Sequence, residues 1–219
     1  MKHFFTILVL SLLILPAMAQ KNPTKNDPEA IAILKAVSEK FKTFKTVQAS
    51  FTYKVEDANG KVMSTKTGTV WMKGTRYRVS FAGQEIFCDG KTVWNYDKSA
   101  NEVTISDLDE ANGMITPQKL FTNFYDKDFY SVYNGEKKVG ARVLQEIEMT
   151  PVDKGKAFHK VYLMIDKTNR SIYSTKVMEN GGNRYTYTVT SMKTNQPIAD
   201  DQFVFNKAKY PGVEEVDLR

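Results

Sequence analysis

The strongest constraint on the fold is a strict alternation of apolar and polar residues that recurs in many short segments. From Val47 to Val55 every second residue is apolar, which is the period of a half-buried β-strand and not of a helix. A turn at residues 57–60 leads into a second long strand that ends near Lys73. Segments of the same kind follow near 76–81, 84–88, 92–96, 101–106, 129–134, 142–150, 158–165, 171–179 and 184–192. The sequence therefore predicts eleven strands, joined mostly as consecutive antiparallel hairpins that curl into a barrel or half-barrel.

The sequence also predicts two amphipathic helices, one before the first strand and one inserted between strands. Asp27 and Pro28 are typical of an N-cap followed by proline at the first helical position, and apolar residues then recur at helical spacing for about four turns. These apolar residues are Ile31, Leu34, Val37, Phe41 and Phe44. A second helical segment opens at Thr116-Pro117, and its apolar face consists of Leu120, Phe121, Phe124 and Tyr125. We expect both helices to lie over the curled sheet.

A lidded apolar cavity and an ordinary filled core are equally compatible with two helices over one sheet. The chain has 13 Phe, 11 Tyr and 2 Trp, many of them at alternating strand positions. This number exceeds what one thin sheet needs for its core, and it favours a cavity for apolar ligands.

The N-terminus has the three parts of a secretory signal peptide. Lys2 provides the positive charge, an apolar run extends from Phe4 to Leu15, and Ala17-Met18-Ala19 is a small-x-small cleavage site. We expect residues 1–19 to be removed and residues 20–219 to form a single domain. Because no Cys follows the cleavage site, we expect a soluble periplasmic product without a lipid anchor.

The side chains that most enzymes require are scarce. After residue 19 the chain has one histidine, His159, and one cysteine, Cys88, which cannot form a usual zinc site or a Cys-His pair with its orienting group. We expect His159 on a strand surface and Cys88 buried. The acidic cluster Asp107, Asp109 and Glu110 is typical of a solvated hinge, and residues 181–183 of a hairpin turn. We therefore predict no enzymatic activity, no metal and no cofactor.

The formal net charge of +6 comes from lysines scattered singly along the chain. Nucleic-acid-binding proteins cluster their basic residues on one face, so we expect no nucleic-acid partner.

Several segments resemble the family of the outer-membrane lipoprotein carrier LolA. They are Gly68–Lys73, Cys88–Tyr96, Phe203–Phe205 and Pro211–Asp217, in family order. The resemblance implies an unclosed barrel of about eleven antiparallel strands, with helices that form a lid over a hydrophobic cavity. It implies a monomeric periplasmic carrier of acylated lipoproteins. Its implied partners are an inner-membrane lipoprotein-releasing ABC transporter and, where one exists, an outer-membrane acceptor. The alternative is a lipid- or lipopeptide-binding sensor or adhesion module of the same fold that does not shuttle.

The resemblance also implies which residues line the cavity. Tyr77, Val79 and Ile86 match inward-facing family positions, and Cys88 shares the parity of Ile86. With the neighbouring strands and the lid, the expected lining is Phe51, Tyr53, Tyr77, Val79, Phe81, Ile86, Cys88, Leu120, Phe121 and Phe124. Family members often hold the lid shut with an Arg directly after the strand's Lys. Here that position is Gly74, so Arg76 and Arg78 are the candidates for the latch.

Overall fold

The structure is a computed structural model that describes residues 25–108 and 128–219. The predicted signal peptide at 1–19 and the predicted lid residues Leu120, Phe121 and Phe124 lie outside these ranges. Within them, no helix is long and apolar enough to cross a membrane.

One α-helix and twelve strands make up the described part of the chain. The helix α1 spans Pro28–Lys42. The strands are β1 (Thr46–Glu56), β2 (Val62–Lys73), β3 (Arg76–Phe81), β4 (Gln84–Cys88), β5 (Thr92–Asp97), β6 (Glu102–Asp107), β7 (Phe129–Val139), β8 (Arg142–Pro151), β9 (Phe158–Asp166), β10 (Ser171–Glu179), β11 (Arg184–Thr194) and β12 (Glu214–Asp217). Two short 3-10 helices, Asp200–Phe203 and Lys207–Lys209, precede β12.

The twelve strands form one unclosed sheet in the order β12-β6-β5-β4-β3-β2-β1-β11-β10-β9-β8-β7. Strands β1 to β6 form one antiparallel meander and β7 to β11 form another, and the antiparallel pairing of β1 with β11 joins the two. The edges of the sheet are β7 and β12. The mainly β, unclosed antiparallel architecture expected from the sequence is therefore confirmed.

Two details of the strands differ from the prediction. Strand β7 continues past residue 134 to Val139. A bulge between Tyr133 and Glu136 contains Gly135 (φ +95°), and β7 pairs with β8 again from Glu136 onward. The twelfth strand, β12, is short, and it pairs in parallel with β6. Its acidic sequence carries no alternation of apolar residues, so the period-two pattern could not reveal it.

The sequence signals of α1 produce the predicted helix. The Asp27 carboxylate accepts a hydrogen bond from the Glu29 N–H at 3.0 Å, and Pro28 occupies the first turn. The helix ends at Lys42, so Phe44 lies beyond it, after the C-cap residue Thr43. The fully buried helix residues are Ala30, Leu34, Val37 and Ser38.

Helix α1 covers one face of the sheet on the β7–β10 half. Leu34 and Val37 belong to a buried cluster with Ile147 on β8 and Leu163 on β9. We call the face that carries α1 the inner face, and the opposite face the outer face.

The outer face is covered on the β4–β6 side by the C-terminal segment, residues 198–213. Phe205 contacts the Phe87 ring at a centroid distance of 5.8 Å and the Tyr210 ring at 4.6 Å. The start of the segment is held by charge, because Lys73 and Arg76 each approach the Asp200 carboxylate to 2.7 Å. This carboxylate has a lowered pKa because both cations donate hydrogen bonds to it.

Phe205 and Val204 provide a matched test of this covering segment. Phe205 is 8% exposed in the outer-face cluster, whereas its neighbour Val204 is 41% exposed. Phe205→Ala should lower the free energy of unfolding by about 3–5 kcal/mol, because it removes a buried ring and leaves a cavity. Val204→Ala should change it by less than about 0.5 kcal/mol. Urea unfolding followed by tryptophan fluorescence measures both, and equal effects would show that the segment is not packed.

Candidate ligand-binding surface

The strand register places a continuous set of side chains on the inner face of β1–β5. At the end of the sheet near the C-terminus of α1, these side chains are buried and form what we call the floor. The floor consists of Val47, Ala49, Val70, Met72, Tyr77, Cys88 and Val93. Phe41 and Phe44, from the end of α1 and the residues after it, pack against the floor.

Further along the same strands the inner face is aromatic. We call this region the aromatic band, and it consists of Phe51, Tyr53, Phe81, Tyr185 and Tyr187. The Tyr53 ring lies 4.8 Å from Tyr187, 5.4 Å from Phe81 and 6.1 Å from Tyr185, between centroids. Tyr187 is 42% exposed. The band is therefore an apolar surface that is partly accessible, in contrast with the floor.

The aromatic band lies on the same face as the α1 cluster. Register connects Leu163 to Thr175, Thr175 to Tyr187, and Tyr187 to Tyr53, across four neighbouring strands. Residues directly opposite each other in antiparallel strands share a face. The half of the inner face that α1 covers thus continues into the half that carries the band.

A glycine makes room for the band. Gly68 lies opposite both Phe51 and Phe81, and the Phe51 ring covers it. A Cβ atom at position 68 would lie 2.4 Å from Cζ of Phe51. Because Gly68 has no side chain, the Phe51 ring can lie flat across β2 and reach Phe81 at 5.6 Å.

Towards β5 and β6 the inner face becomes polar. Register places Asn95 opposite Ile86 and Thr104, and places Asp97 opposite Gln84 and Glu102. The floor and the band are therefore bordered by polar side chains on one side.

Burial controls the titration of the tyrosines and the cysteine of this face. Burial raises the pKa of the Cys88 thiol, although the Gly90 N–H, which donates to Sγ at 3.4 Å, stabilises the thiolate. Burial also raises the pKa of Tyr77 well above its usual range. Burial, followed by Tyr187 and Tyr185 nearby, raises the pKa of Tyr53. All three side chains are neutral at physiological pH.

Comparison with known proteins identifies the family. The model of the family described as "Outer membrane lipoprotein carrier protein LolA" matches residues 42–206. The chain belongs to this family.

Curated relatives agree with this assignment, and a solved structure shares the fold. An outer-membrane lipoprotein carrier protein of Cupriavidus necator is 31% identical over 173 residues, which cover 75% of this chain and 79% of the relative. One of Halorhodospira halophila is 24% identical over 99% of this chain and 97% of the relative. The crystal structure of an uncharacterized conserved protein from Thermus thermophilus has the same fold, with a TM-score of 0.60 and 15% identity over 86% of this chain and 99% of that one.

The described lining residues expected for a LolA family member share one face. Tyr77 and Cys88 lie in the floor, Phe51, Tyr53 and Phe81 in the band, and Val79 and Ile86 pack beside the floor. The expectation that Cys88 is buried and unpaired is confirmed. Two band residues, Tyr185 and Tyr187, are absent from the predicted lining. Their aromatic alternation was visible in the sequence, but only the pairing of β11 with β1 places them beside Tyr53.

The two latch candidates lie on the other side of the strand from the lining. Gly74 (φ +59°) lies in the two-residue turn between β2 and β3. Arg78 is on the outer face, where it pairs with Glu85 at 2.5 Å and lies over the Trp71 and Phe87 rings. A latch through Arg78 would require it to leave these contacts. Arg76 starts β3 beside Asp200, and its role as a latch stays a prediction because the lid lies outside the described residues.

The described residues considered for catalysis or metal binding do not form a metal site. His159 is exposed on β9, and residues 181–183 form the turn between β10 and β11. Among residues 25–108 and 128–219, no group of three or more His, Cys, Asp or Glu side chains could hold a metal ion. Asp109 and Glu110 lie outside the described residues.

Substitution at Gly68 should disturb the band. Gly68→Val places methyl groups where the Phe51 ring lies and should lower the free energy of unfolding by about 1–3 kcal/mol. The double variant Gly68→Val/Phe51→Ala should be more stable than the sum of the two single effects, because the clash is then absent. Urea unfolding of the four proteins measures this coupling, and strict additivity would contradict the contact.

The Cys88 thiol should react slowly in the folded protein. Its burial restricts access, and its raised pKa leaves little thiolate at pH 7.5. A bulky polar disulfide reagent should react about a hundredfold more slowly than with the urea-unfolded chain. Stopped-flow absorbance measures both rates, and similar rates would show that Cys88 faces solvent.

Proposed function

We propose that this protein is a non-enzymatic periplasmic carrier that binds the acyl chains of lipoproteins on its inner face. In this proposal the carrier moves the lipoproteins from the inner to the outer membrane. The observation that carries the proposal is the aromatic band, an uncharged and partly exposed surface on the inner face of a LolA family member. Apolar side chains that remain partly exposed together on a folded protein are typical of a site that binds a partner or a ligand.

The chemistry of the floor and the band suits acyl chains. None of their side chains is charged, and all offer aliphatic or aromatic surface. An alkyl chain gains about 0.8 kcal/mol for each methylene group removed from water, whatever its conformation. Such contacts do not require one particular conformation of the acyl chain. They therefore favour a carrier that accepts lipoproteins whose polypeptides differ.

The energetics of transfer imply partners. An acyl chain in a membrane is already shielded from water, so moving it onto an apolar protein surface gains little free energy. Extraction must therefore be driven from outside the carrier. We propose an inner-membrane lipoprotein-releasing ABC transporter as the source and, where present, an outer-membrane acceptor as the destination. We further propose that residues 1–19 are a signal peptide that directs export and that residues 20–219 form a single carrier domain.

The edges of the sheet favour a monomer. At the start of β7, the Ser131 N–H donates to Asn26 Oδ1 at 2.9 Å, and Ser131 O accepts from the Asp27 N–H at 2.8 Å. At the other edge, β12 carries the exposed acidic side chains Glu214 and Glu215. Occupied hydrogen-bonding groups and edge charges oppose pairing with a second sheet.

Binding of an acylated ligand tests the proposal directly. A triacylated lipopeptide should bind the purified wild-type protein. Tyr187→Glu should weaken this affinity at least about tenfold, because the ionised carboxylate would have to lose water against an alkyl chain. Val204→Glu is the matched control, since Val204 is 41% exposed and Tyr187 42%, but Val204 belongs to the segment that covers the outer face.

Fluorescence titration with a labelled lipopeptide measures the affinities, and circular dichroism establishes that both variants fold. Equal affinity of the Tyr187→Glu and Val204→Glu variants would place acyl binding away from the band and overturn the proposal.

A further inference from the structure

Asn95 on β5 has a side-chain oxygen whose hydrogen-bonding capacity is unused among the described residues. Its side chain lies on the inner face, two residues from Val93 of the floor and directly opposite Ile86 on β4. The Oδ1 atom is buried and has no hydrogen-bond partner among the described residues.

The polar side chains nearest in register do not satisfy this atom. The Asp97 carboxylate accepts hydrogen bonds from Ser99 and Ala100 in the β5–β6 turn, and an ionised carboxylate has no proton to donate. Thr104 lies directly opposite on β6, and its hydroxyl makes no hydrogen bond to Asn95 Oδ1 within the described structure.

A buried carbonyl oxygen without a donor is costly, and leucine at this position would remove the cost while keeping a similar volume. An amide here is therefore unfavourable for the stability of the ligand-free protein. Local costs of this kind are typical of functional sites, where the ligand supplies the missing partner.

We propose that Asn95 recognises the amide of the bound lipopeptide, with Oδ1 accepting a hydrogen bond from the N–H that joins an acyl chain to the peptide. This inference rests on the proposed acyl-binding function and adds a polar specificity residue to it. Oδ1 is an acceptor and needs a donor from the ligand. Alkyl chains and ester oxygens have none, whereas the amide at the junction of acyl chain and peptide does.

The position of Asn95 also gives the bound ligand a direction. The uncharged floor and band lie on β1–β5 and β11. Polar side chains of the inner face follow on β5 and β6, and Lys66 of β2 lies opposite Tyr53. An amphiphilic ligand with its amide at Asn95 would place its acyl chains over the floor and the band. Its peptide would then leave across the polar side, past Asp97 and Glu102.

The test compares ligands with and without an amide. Wild type, Asn95→Leu and the control Thr104→Val are titrated with a triacylated lipopeptide and with a triacylglycerol of equal chain length, which has only esters and no hydrogen-bond donor. Asn95→Leu should bind the lipopeptide about tenfold more weakly and the triacylglycerol at least as tightly as wild type. Thr104→Val, which removes a hydroxyl from the neighbouring position, should change both affinities less than about twofold.

Thermal unfolding of the ligand-free proteins separates recognition from a structural role. Asn95→Leu should melt at the same temperature as wild type or higher, since it removes an unsatisfied buried acceptor. A lower melting temperature together with an equal loss of affinity for both ligands would assign Asn95 a structural role and overturn the inference. Unchanged affinity of Asn95→Leu for the lipopeptide would also overturn the inference. If wild type binds neither ligand, the proposed function fails as well, and that outcome is distinct from a failure confined to Asn95.

Discussion

The antiparallel pairing of β1 with β11 is the interaction on which the rest of the structure depends. It joins residues that are far apart in the chain, from Val47 with Thr194 to Glu56 with Arg184. Each meander on its own is built from local hairpins, and only this contact makes them one sheet. A bulge in β11 opposite residues 50 and 51 keeps the apolar side chains of both strands on the inner face. Without the pairing, Tyr53 and Tyr187 would belong to separate sheets and the aromatic band would not exist.

The two faces of the sheet are used differently as a consequence. Helix α1 covers the inner face on the β7–β10 half, and the C-terminal segment covers the outer face over β4–β6. The packed floor supplies stability, because its side chains are removed from water. The band keeps part of its aromatic surface accessible, as the exposure of Tyr187 shows. The stabilising floor and the proposed ligand-binding surface therefore occupy neighbouring rows of the same strands.

Apolar contact and polar recognition would serve different purposes on such a surface. Burial of alkyl chains supplies affinity with little discrimination, because every methylene group contributes in the same way. A single buried acceptor contributes less affinity, but it distinguishes a ligand that has a donor from one that lacks it. Asn95, at the border between the floor and the polar side chains of β5 and β6, is in the position where this distinction could be made.

The sequence alone determined the strands and the side chains that share a face, because the period of two is a local property. It predicted that Tyr77, Val79 and Phe81 point the same way, that Cys88 follows Ile86, and that α1 begins after Asp27. It predicted the pairing of consecutive strands in hairpins but not the pairing of β1 with β11, since the free side of β1 could pair with any strand of the same pattern. Tertiary structure alone decided that Tyr187 lies beside Tyr53, that β12 pairs in parallel with β6, and that Asn95 Oδ1 is buried without a donor among the described residues. These features depend on contacts between residues distant in the chain, which no local pattern records.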